Sequence, residues 1–348
     1  MKAIVQDQYG SPEVLQLREI DKPDIGDHEV LIRVRAAGVN LGDWAIMNGL
    51  PYIARPSPLY GMRKPKNAVR GTDVAGEVEA VGTSVTGLRQ GDAVFGWSKG
   101  SFADLAAAAE EALALKPANL TFEQAAAVPT AGSVALQALQ KGNVRGGQTV
   151  LINGASGGIG TFAVQIAKSR GAYVTGVCSP RNVDMVRSIG ADRMIDYSQE
   201  DFTRSGQRYD FILDNVGNHS LSDLRRALNP AGTLVPNGGR FDHRWFAGGG
   251  RVVSALLLSR FVTQKLRPFV MSKKREDLVV LKDLIEAGKI TPVIDRPYPL
   301  SEIAQAIGYV GEGHSRGKVV ITVSSPPGLT DRRKETSKQQ TAPTGAIV

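Results

Sequence analysis

The chain has 348 residues, of which 42% are hydrophobic and 22% are charged, with one cysteine and a formal net charge of +8. This composition is typical of a globular protein with room for two domains, and one cysteine excludes an internal disulfide and any multi-cysteine zinc site. The basic residues are scattered and have no interleaved aromatic residues, so we expect no nucleic-acid partner.

Residues 1–125 predict a β-rich first domain. Short alternating runs such as EVLIRVRAAGVN are separated by glycines, a pattern typical of strands joined by tight turns. The first residues, MKAIVQDQYG, predict a strand rather than a signal peptide, because no apolar run follows the lysine. Together with the single cysteine, this favours a cytoplasmic location.

Residues 126–272 predict a second domain in which strands and helices alternate. QTVLIN and AYVTGVC predict strands, and IGTFAVQIAKSRG between them has apolar residues at helical spacing. The alternation predicts an α/β fold with a doubly wound parallel sheet. The apolar segment VVSALLL is too short to span a membrane, and we expect it to be buried or to form an interface. Residues 325–348 are rich in polar and charged residues and are expected to be disordered.

A glycine-rich loop, NGASGGIG, follows the strand QTVLIN and opens the next helix. Such a loop lets a pyrophosphate approach the backbone and rest on the helix N-terminus. We therefore predict that the loop binds a dinucleotide; the alternative is a tight turn only. A short-chain dehydrogenase is excluded, because no tyrosine downstream of the loop is followed four residues later by lysine. The predicted binding residues of the loop are Gly154, Ser156, Gly157, Gly158, Ile159 and Gly160.

The stretch TGVCSPRN, which ends the second strand, lacks the acidic residue that hydrogen-bonds the ribose in many NAD-binding folds. Ser179 and Arg181 lie there instead, a hydroxyl donor and a permanent cation suited to a phosphate dianion. Tyr197, after the next strand, is predicted to flank the same adenosine end. These residues favour NADP(H) over NAD(H). The alternative is that Arg181 is a solvated residue at a helix start.

Several motifs together resemble one family. They are AAGVNLGDW, GTDVAGEVEAVG, GDAVFG and AAAVPTAG, followed in order by the glycine loop and YDFILDNVG. The chain is similar over residues 1–323 to the zinc-independent, quinone-oxidoreductase-like (zeta-crystallin-like) branch of the medium-chain dehydrogenase/reductase superfamily. The resemblance implies a GroES-like β-barrel catalytic domain over residues 1–125, completed by residues 273–324, and a Rossmann cofactor domain over residues 126–272. It also implies a homodimer.

The positions that bind zinc in other members of the superfamily have different residues here. Asn40 replaces the cysteine, and Thr72 and Asp73 replace the His-Glu pair. The four histidines have no metal-ligand spacing. We therefore predict no metal site, which removes the Lewis acid from alcohol oxidation. The reaction that fits is hydride delivery to an already electrophilic carbon, in a quinone or an α,β-unsaturated carbonyl compound.

The resemblance also implies the residues around the nicotinamide. Asn40 is the leading catalytic candidate, with the cap of a turn after a strand as its alternative role. Tyr52 is a candidate hydrogen-bond donor to the substrate carbonyl, and its alternative role is to pack its ring in a pocket wall. Thr130, Asn215 and Gly238 are predicted at the cofactor. The predicted function is NADPH-dependent reduction of quinones, enones or alkenals. The alternatives are an NAD(P)-dependent alcohol dehydrogenase and a non-catalytic NADPH-binding protein.

Overall fold

The computed structural model describes residues 1–57, 60–237, 245 and 249–323. Gly238 and the tail at residues 325–348, both subjects of predictions, lie outside these described residues. Within the described residues, no helix is both long and apolar enough to cross a bilayer.

A seven-stranded sheet forms the framework of the first domain. Its long central strand pairs antiparallel with three neighbours, and the last strand of the described chain is one of them. The C-terminal segment therefore returns to the sheet that the N-terminal segment began. The strands of this sheet are β3 (Glu29–Val39), β4 (Asp73–Val81), β5 (Ala93–Trp97), β6 (Leu105–Ala109), β7 (Leu113–Leu115), β14 (Ile294–Pro299) and β15 (Lys318–Thr322). Their order is β14-β15-β3-β4-β5-β7, with β6 also paired to β3.

Smaller elements flank this sheet. Strands β1 (Lys2–Gln6) and β2 (Leu15–Glu19) form an antiparallel pair. Helix α1 (Leu41–Met47) follows β3 directly, and α9 (Ile303–Gly311) packs against it. The position of α1 is set by β3, because only Asn40 separates the two elements.

A six-stranded parallel sheet forms the second domain, in the order β10-β9-β8-β11-β12-β13. The first strand, β8, lies inside the sheet, with β9 on one side and β11 on the other, which makes the carboxyl end of β8 the topological switch point where such folds bind ligands. Three consecutive residues of β8 are fully buried, as expected for a strand covered on both faces. The strands are β8 (Thr149–Asn153), β9 (Tyr173–Cys178), β10 (Arg193–Asp196), β11 (Tyr209–Asp214), β12 (Leu228–Pro236) and β13 (Lys265–Leu266).

Helices connect and cover these strands. Proline opens α3, and a capping box begins α2: the Thr121 hydroxyl accepts from the N–H of Gln124 at 3.2 Å, and the Gln124 side chain accepts from the N–H of Thr121 at 3.0 Å. The remaining helices are α2 (Phe122–Ala126), α3 (Pro129–Lys141), α4 (Gly158–Ser169), α5 (Val183–Ser188), α6 (Leu221–Arg226), α7 (Gly249–Leu258) and α8 (Arg275–Glu286).

One apolar core runs from the first sheet into the second domain. Phe95 and Trp97 of β5 belong to the same buried cluster as Leu136 and Leu139 of α3. This shared core fixes the two sheets relative to each other, and so fixes the cleft between them.

The α/β fold class and the doubly wound parallel sheet predicted from the sequence are confirmed. The predicted boundaries at residues 125, 272 and 324 stay a prediction. The C-terminal segment contacts both parts, since β15 joins β3 while α8 packs on α3. The segment VVSALLL lies in α7 and is not buried throughout: Val253, Leu256 and Leu257 are each more than half exposed.

Candidate active site

The glycine loop lies at the carboxyl end of β8, between that strand and α4. Gly154 has φ of +80°, a conformation that favours glycine. A Cβ on Gly160 would lie 2.1 Å from the carbonyl oxygen of Gly154, so only glycine allows the helix to start this close to the loop. A Cβ on Gly157 would meet nothing nearer than 3.6 Å, so this position has space beside it. The first turn of α4 also presents N–H groups without acceptors inside the helix.

Gly317, the residue just before β15, contacts the glycine loop. The N–H of Gly317 donates to the carbonyl oxygen of Ser156 at 2.8 Å, and Gly157 and Gly317 form a parallel bridge. The loop that precedes β15 therefore lies beside the predicted pyrophosphate position. The sequence analysis did not identify this contact, because residues 156 and 317 belong to different domains and no local pattern links them.

The predicted adenosine end is organised by Asn182, which the sequence analysis did not select. Its Nδ2 donates to the hydroxyl oxygens of Ser156 at 3.1 Å and Ser179 at 3.0 Å. Asn182 is buried, and its Oδ1 atom has no partner among the described residues. Two of the predicted binding hydroxyls are thus held together by one buried amide.

Arg181 and Tyr197 lie on the outside of the same region. The guanidinium of Arg181 donates to the carbonyl oxygen of His314 at 3.0 Å, and no carboxylate of the described residues pairs with it. Tyr197 is 59% exposed, and its N–H donates to the carbonyl oxygen of Cys178. Burial, with a smaller contribution from Asp196, raises the pKa of the Cys178 thiol to about 11, so this thiol stays protonated.

Asn40 is held at three of its polar atoms. It is the N-cap residue of α1: its carbonyl oxygen accepts from the N–H of Asp43 at 2.9 Å, and its own N–H donates to Oδ2 of Asp43 at 2.8 Å. Its side-chain oxygen accepts from Nζ of Lys318 at 2.5 Å. The fourth polar atom, Nδ2, is buried and has no partner among the described residues. The N-cap position thus leaves the Nδ2 donor unused within the described residues, and the catalytic and capping roles of Asn40 both stay predictions.

Buried charges surround Asn40. Burial, reinforced by Asp73, raises the pKa of Asp43 to about 6, although the hydrogen bond from Asn40 and the cations Arg70 and Lys318 act in the opposite direction. Burial lowers the pKa of the Lys318 ammonium, while Asp73 and Asp43 raise it. The carboxylates and cations therefore compensate one another in a region that excludes water.

The side chain of Thr130 is used within the protein. Its hydroxyl donates to Oδ1 of Asp73 at 2.5 Å and accepts from Nε1 of Trp97 at 3.1 Å. Its N–H also donates to Oδ2 of Asp73. Asp73, at a position where zinc-containing relatives have a ligand, is thus engaged by α3. The predicted contact between Thr130 and a nicotinamide stays a prediction.

Asn215 resembles Asn40 in its bonding. It follows β11, the strand next to β8, and its Oδ1 accepts from Nδ2 of Asn237 at 2.8 Å. Its own Nδ2 is buried and has no partner among the described residues. Two predicted site residues therefore offer an unpaired amide donor, the kind of group that a carboxamide or substrate carbonyl would satisfy.

Tyr52 lies in a turn after α1. The guanidinium carbon of Arg55 lies 4.4 Å from its ring centre, and the ring of Trp245 meets it edge-on with centroids 5.4 Å apart. Tyr52 thus joins the first domain to a residue that follows β12. Its predicted role as a donor to the substrate stays a prediction.

Across the described ranges, no three His, Cys, Asp or Glu side chains converge in a way that would hold a metal ion. The side-chain oxygen of Asn40 accepts a hydrogen bond from Lys318, and the carboxylate oxygens of Asp73 accept hydrogen bonds from Thr130. The prediction that the site works without a metal stays a prediction.

Comparison with known proteins identifies the family. Residues 26–138 match the alcohol dehydrogenase GroES-like domain, and residues 189–321 match the zinc-binding dehydrogenase family. The chain is 34% identical to 2-methylene-furan-3-one reductase of Solanum lycopersicum, over 92% of this chain and 79% of the relative. It is 33% identical to the chloroplastic NADPH-dependent alkenal/one oxidoreductase of Arabidopsis thaliana, with the same coverage.

The fold is also similar to a solved structure, the quinone oxidoreductase from Coxiella burnetii. The TM-score is 0.80 at 31% identity, over 93% of this chain and 99% of that one. These matches extend over both sheets and the cleft between them. The chain therefore belongs to the quinone-oxidoreductase-like branch of the medium-chain dehydrogenase/reductase superfamily, a group of nicotinamide-dependent oxidoreductases.

Proposed function

We propose that the protein is an NADPH-dependent reductase that delivers hydride to quinones or to α,β-unsaturated carbonyl compounds such as enones and alkenals. The observation that carries the proposal is the buried, unpaired Nδ2 of Asn40. Leaving a buried donor unpaired costs about 1–3 kcal/mol, and a ligand carbonyl would remove this cost. A donor in a water-poor site also stabilises negative charge that develops on a carbonyl oxygen during hydride addition.

The residues fit a nicotinamide dinucleotide along the whole cleft. The open space beside Gly157 and the N-terminus of α4 suit a pyrophosphate, and Asn40 and Asn215 offer donors further along. When bound, the reduced nicotinamide supplies the hydride. The chain itself binds and orients the two reactants and excludes water; Tyr52 is the candidate hydrogen-bond donor to the substrate carbonyl.

The preference for NADP(H) over NAD(H) rests on the end of β9. Ser179 is joined to the glycine loop through Asn182, and among the described residues the exposed guanidinium of Arg181 donates to a backbone carbonyl alone. This arrangement offers a hydroxyl and a cation to a 2′-phosphate and no carboxylate to a ribose hydroxyl. The Arabidopsis relative is NADPH-dependent by name.

The two alternatives make different demands. An alcohol dehydrogenase of this superfamily needs a group that takes the alcohol proton, and the residues at the zinc-ligand positions are engaged by Lys318 and Thr130. A non-catalytic NADPH-binding protein needs no donor for a substrate carbonyl. The unpaired amide of Asn40 suits a substrate carbonyl and also the nicotinamide carboxamide, so turnover of a quinone or an enone is what separates the reductase from both alternatives.

We further propose a homodimer formed at the edge of the parallel sheet. The short strand β13 ends the order of the described strands, so one of its edges has no neighbour among them. Just before it, α7 and the residues that follow expose Val253, Leu256, Leu257 and Phe261. Exposed apolar groups next to a sheet edge are suited to an interface between two copies.

We also propose a cytoplasmic location, supported by a single cysteine that is buried and free. Relatives include chloroplastic and mitochondrial proteins by name. Fractionation of cells that express the full chain tests this; recovery in an organelle would contradict it.

The experiment that tests the function is NADPH oxidation by metal-stripped protein, with a panel of quinones, enones and alkenals and with NADH alongside. We expect turnover that survives metal removal and is faster with NADPH. Tight NADPH binding without turnover on any panel member would contradict the proposal and favour the non-catalytic alternative.

A further inference from the structure

Lys318 is a buried lysine that neither the sequence patterns nor the proposed reaction uses. It is the first residue of β15 and is 3% exposed. Its Nζ donates to the carbonyl oxygen of Val39 at 2.8 Å and to Oδ1 of Asn40 at 2.5 Å. Burying an ammonium group is costly unless its hydrogen bonds and charge are satisfied. The groups that Lys318 contacts therefore show what it does.

The bond from Lys318 determines which end of the Asn40 amide is the donor. An asparagine side chain has nearly the same shape when its oxygen and nitrogen exchange places, but one end accepts and the other donates. An ammonium group only donates, so the end of the amide next to Lys318 must be the oxygen. The other end is then the NH2 group, and this is the atom that is buried without a partner.

The stem of the same lysine packs against the glycine loop. A Cβ placed on Gly158 would lie 2.9 Å from Cδ of Lys318, which shows how closely the stem passes the start of α4. One side chain thus contacts the predicted pyrophosphate loop and the predicted donor to a carbonyl. Burial lowers the pKa of this lysine, and the facing carboxylates of Asp73 and Asp43 act in the opposite direction.

We propose that Lys318 is a positioning residue that holds the Asn40 amide with its nitrogen available to a ligand carbonyl. The inference rests on the proposed function, because it assumes that Asn40 faces the nicotinamide carboxamide or the substrate carbonyl. Without Lys318, the amide is free to turn its oxygen toward the ligand, and two carbonyl oxygens would then repel each other.

A double-mutant cycle tests this, with Lys318→Met, Asn40→Ala and the double variant. The first readout is the dissociation constant of NADPH, which reports on the carboxamide carbonyl. The second is kcat and KM for the best quinone or enone of the panel, which report on the substrate carbonyl. We expect Lys318→Met alone to weaken at least one readout by about tenfold, the loss of one hydrogen bond. In the Asn40→Ala background it should change neither by more than about twofold.

Two controls separate positioning from other roles. Binding of 2′,5′-ADP, the adenosine half of the cofactor, should be unchanged in Lys318→Met, because this probe has no carbonyl for Asn40. Lys273→Met removes an exposed lysine whose charge interacts with the same carboxylates, Asp43 and Asp73. This variant should leave the NADPH dissociation constant, kcat and KM unchanged. If Lys318→Met does not fold, Lys318→Leu replaces it in the cycle. Lys318→Gln is the conservative variant: its amide keeps one donor for Asn40, so it should lose less than Lys318→Met in both readouts.

The outcomes are distinct. Effects of Lys318→Met and Asn40→Ala that add in the double variant would overturn the positioning role, and so would an equal loss of affinity for 2′,5′-ADP, which indicates a direct phosphate contact. The wild-type protein could reduce no panel member while the effects of Lys318→Met and Asn40→Ala on NADPH affinity are still not additive. In that case the proposed reductase function fails and the positioning role stands. Turnover without coupling in either readout would overturn the positioning role alone.

Discussion

Three asparagines have incomplete hydrogen bonding at the cleft, and they define its chemistry at the scale of single residues. Within the part of the chain that the structure describes, Asn40 and Asn215 each lack an acceptor for a buried nitrogen, and Asn182 lacks a donor for a buried oxygen. Buried polar atoms are nearly always paired in folded proteins. The proposed function accounts for these three, because a bound cofactor and substrate would supply the missing partners.

The charge of Arg181 should decide between the two cofactors. We expect Arg181→Glu to weaken NADPH binding by about ten- to a hundredfold, because a charge-assisted hydrogen bond contributes about 1.5–3 kcal/mol. NADH has no 2′-phosphate, so its affinity should change little. Fluorescence titration of both cofactors measures the ratio. The control is Arg187→Glu, which changes a nearby arginine paired with Asp184. If Arg181→Glu leaves the ratio of NADPH affinity to NADH affinity unchanged, no phosphate binds at Arg181.

The stability of the protein should depend on the titration of Asp43. Its folded-state pKa is about 6, above its ordinary value of 3.8, so the folded state keeps a proton that the unfolded state releases between these values. The contribution of the Asp43 carboxyl group to the free energy of unfolding is therefore fully present below about pH 4 and is lost as the pH rises to about 6. Asp43→Asn cannot ionise, and its free energy of unfolding should exceed that of the wild type by an amount that grows over this window, to about 3 kcal/mol. Urea unfolding at several pH values measures it; a difference that does not vary with pH would contradict the assignment.

At the scale of elements, the glycine loop and α4 depend on how near one backbone segment lies to another. Gly160 is required by the fold, since its Cβ would collide with the backbone of Gly154. Gly157 is not required by the fold, since it has space beside it and φ of −82°, which alanine adopts readily. Two glycines of one motif thus have separable roles.

We expect Gly160→Ala to lower the melting temperature of the cofactor-free protein and to weaken NADPH binding, because the loop must move away from α4. Gly157→Ala should leave that melting temperature within experimental error and still weaken NADPH binding about tenfold or more, because its methyl group occupies the space predicted for the pyrophosphate. Differential scanning fluorimetry with and without NADPH measures both effects. Unchanged NADPH affinity in Gly157→Ala would place the pyrophosphate elsewhere.

Helix α7 makes the proposed dimer testable. We expect light scattering to give a mass of twice the chain's 37.1 kDa for the wild type. Leu257→Glu, at a side chain that is 58% exposed, should give a monomer because it puts a charge into the apolar surface. Val279→Glu changes an exposed valine on α8 and serves as the control. A monomeric wild type, or a dimer that Leu257→Glu leaves intact, would contradict the proposed interface.

At the scale of the whole molecule, the site depends on chain segments that are far apart in sequence. The first sheet receives β15 from the end of the described chain, and this strand brings Lys318 to Asn40 across 278 positions. The parallel sheet contributes the switch point at β8. A shared apolar core holds the two parts at a fixed distance, so the cleft exists only in the complete fold.

The sequence predicted what local patterns and motifs encode. Periodicity predicted the parallel sheet, and α4 begins at Gly158, directly after the loop that was expected to open it. The family motifs drew attention to Asn40. Lys318 and Asn182 were missed, because their roles arise from partners that no spacing reveals. The segment VVSALLL was expected to be buried or to form an interface, and periodicity could not show that α7 buries Ala255 while Leu256 and Leu257 stay exposed.

The measurement that tests the central claim most directly is the position of the transferred hydride in the product. The protein is given NADPH with deuterium at its transferable position and a simple enone, and the product is examined by NMR. The proposed function predicts a saturated ketone with deuterium on the β carbon, and the same result after metal removal. Deuterium on the hydroxyl-bearing carbon of an allylic alcohol would identify an alcohol dehydrogenase instead. No transfer to an enone or a quinone would contradict the proposed reductase.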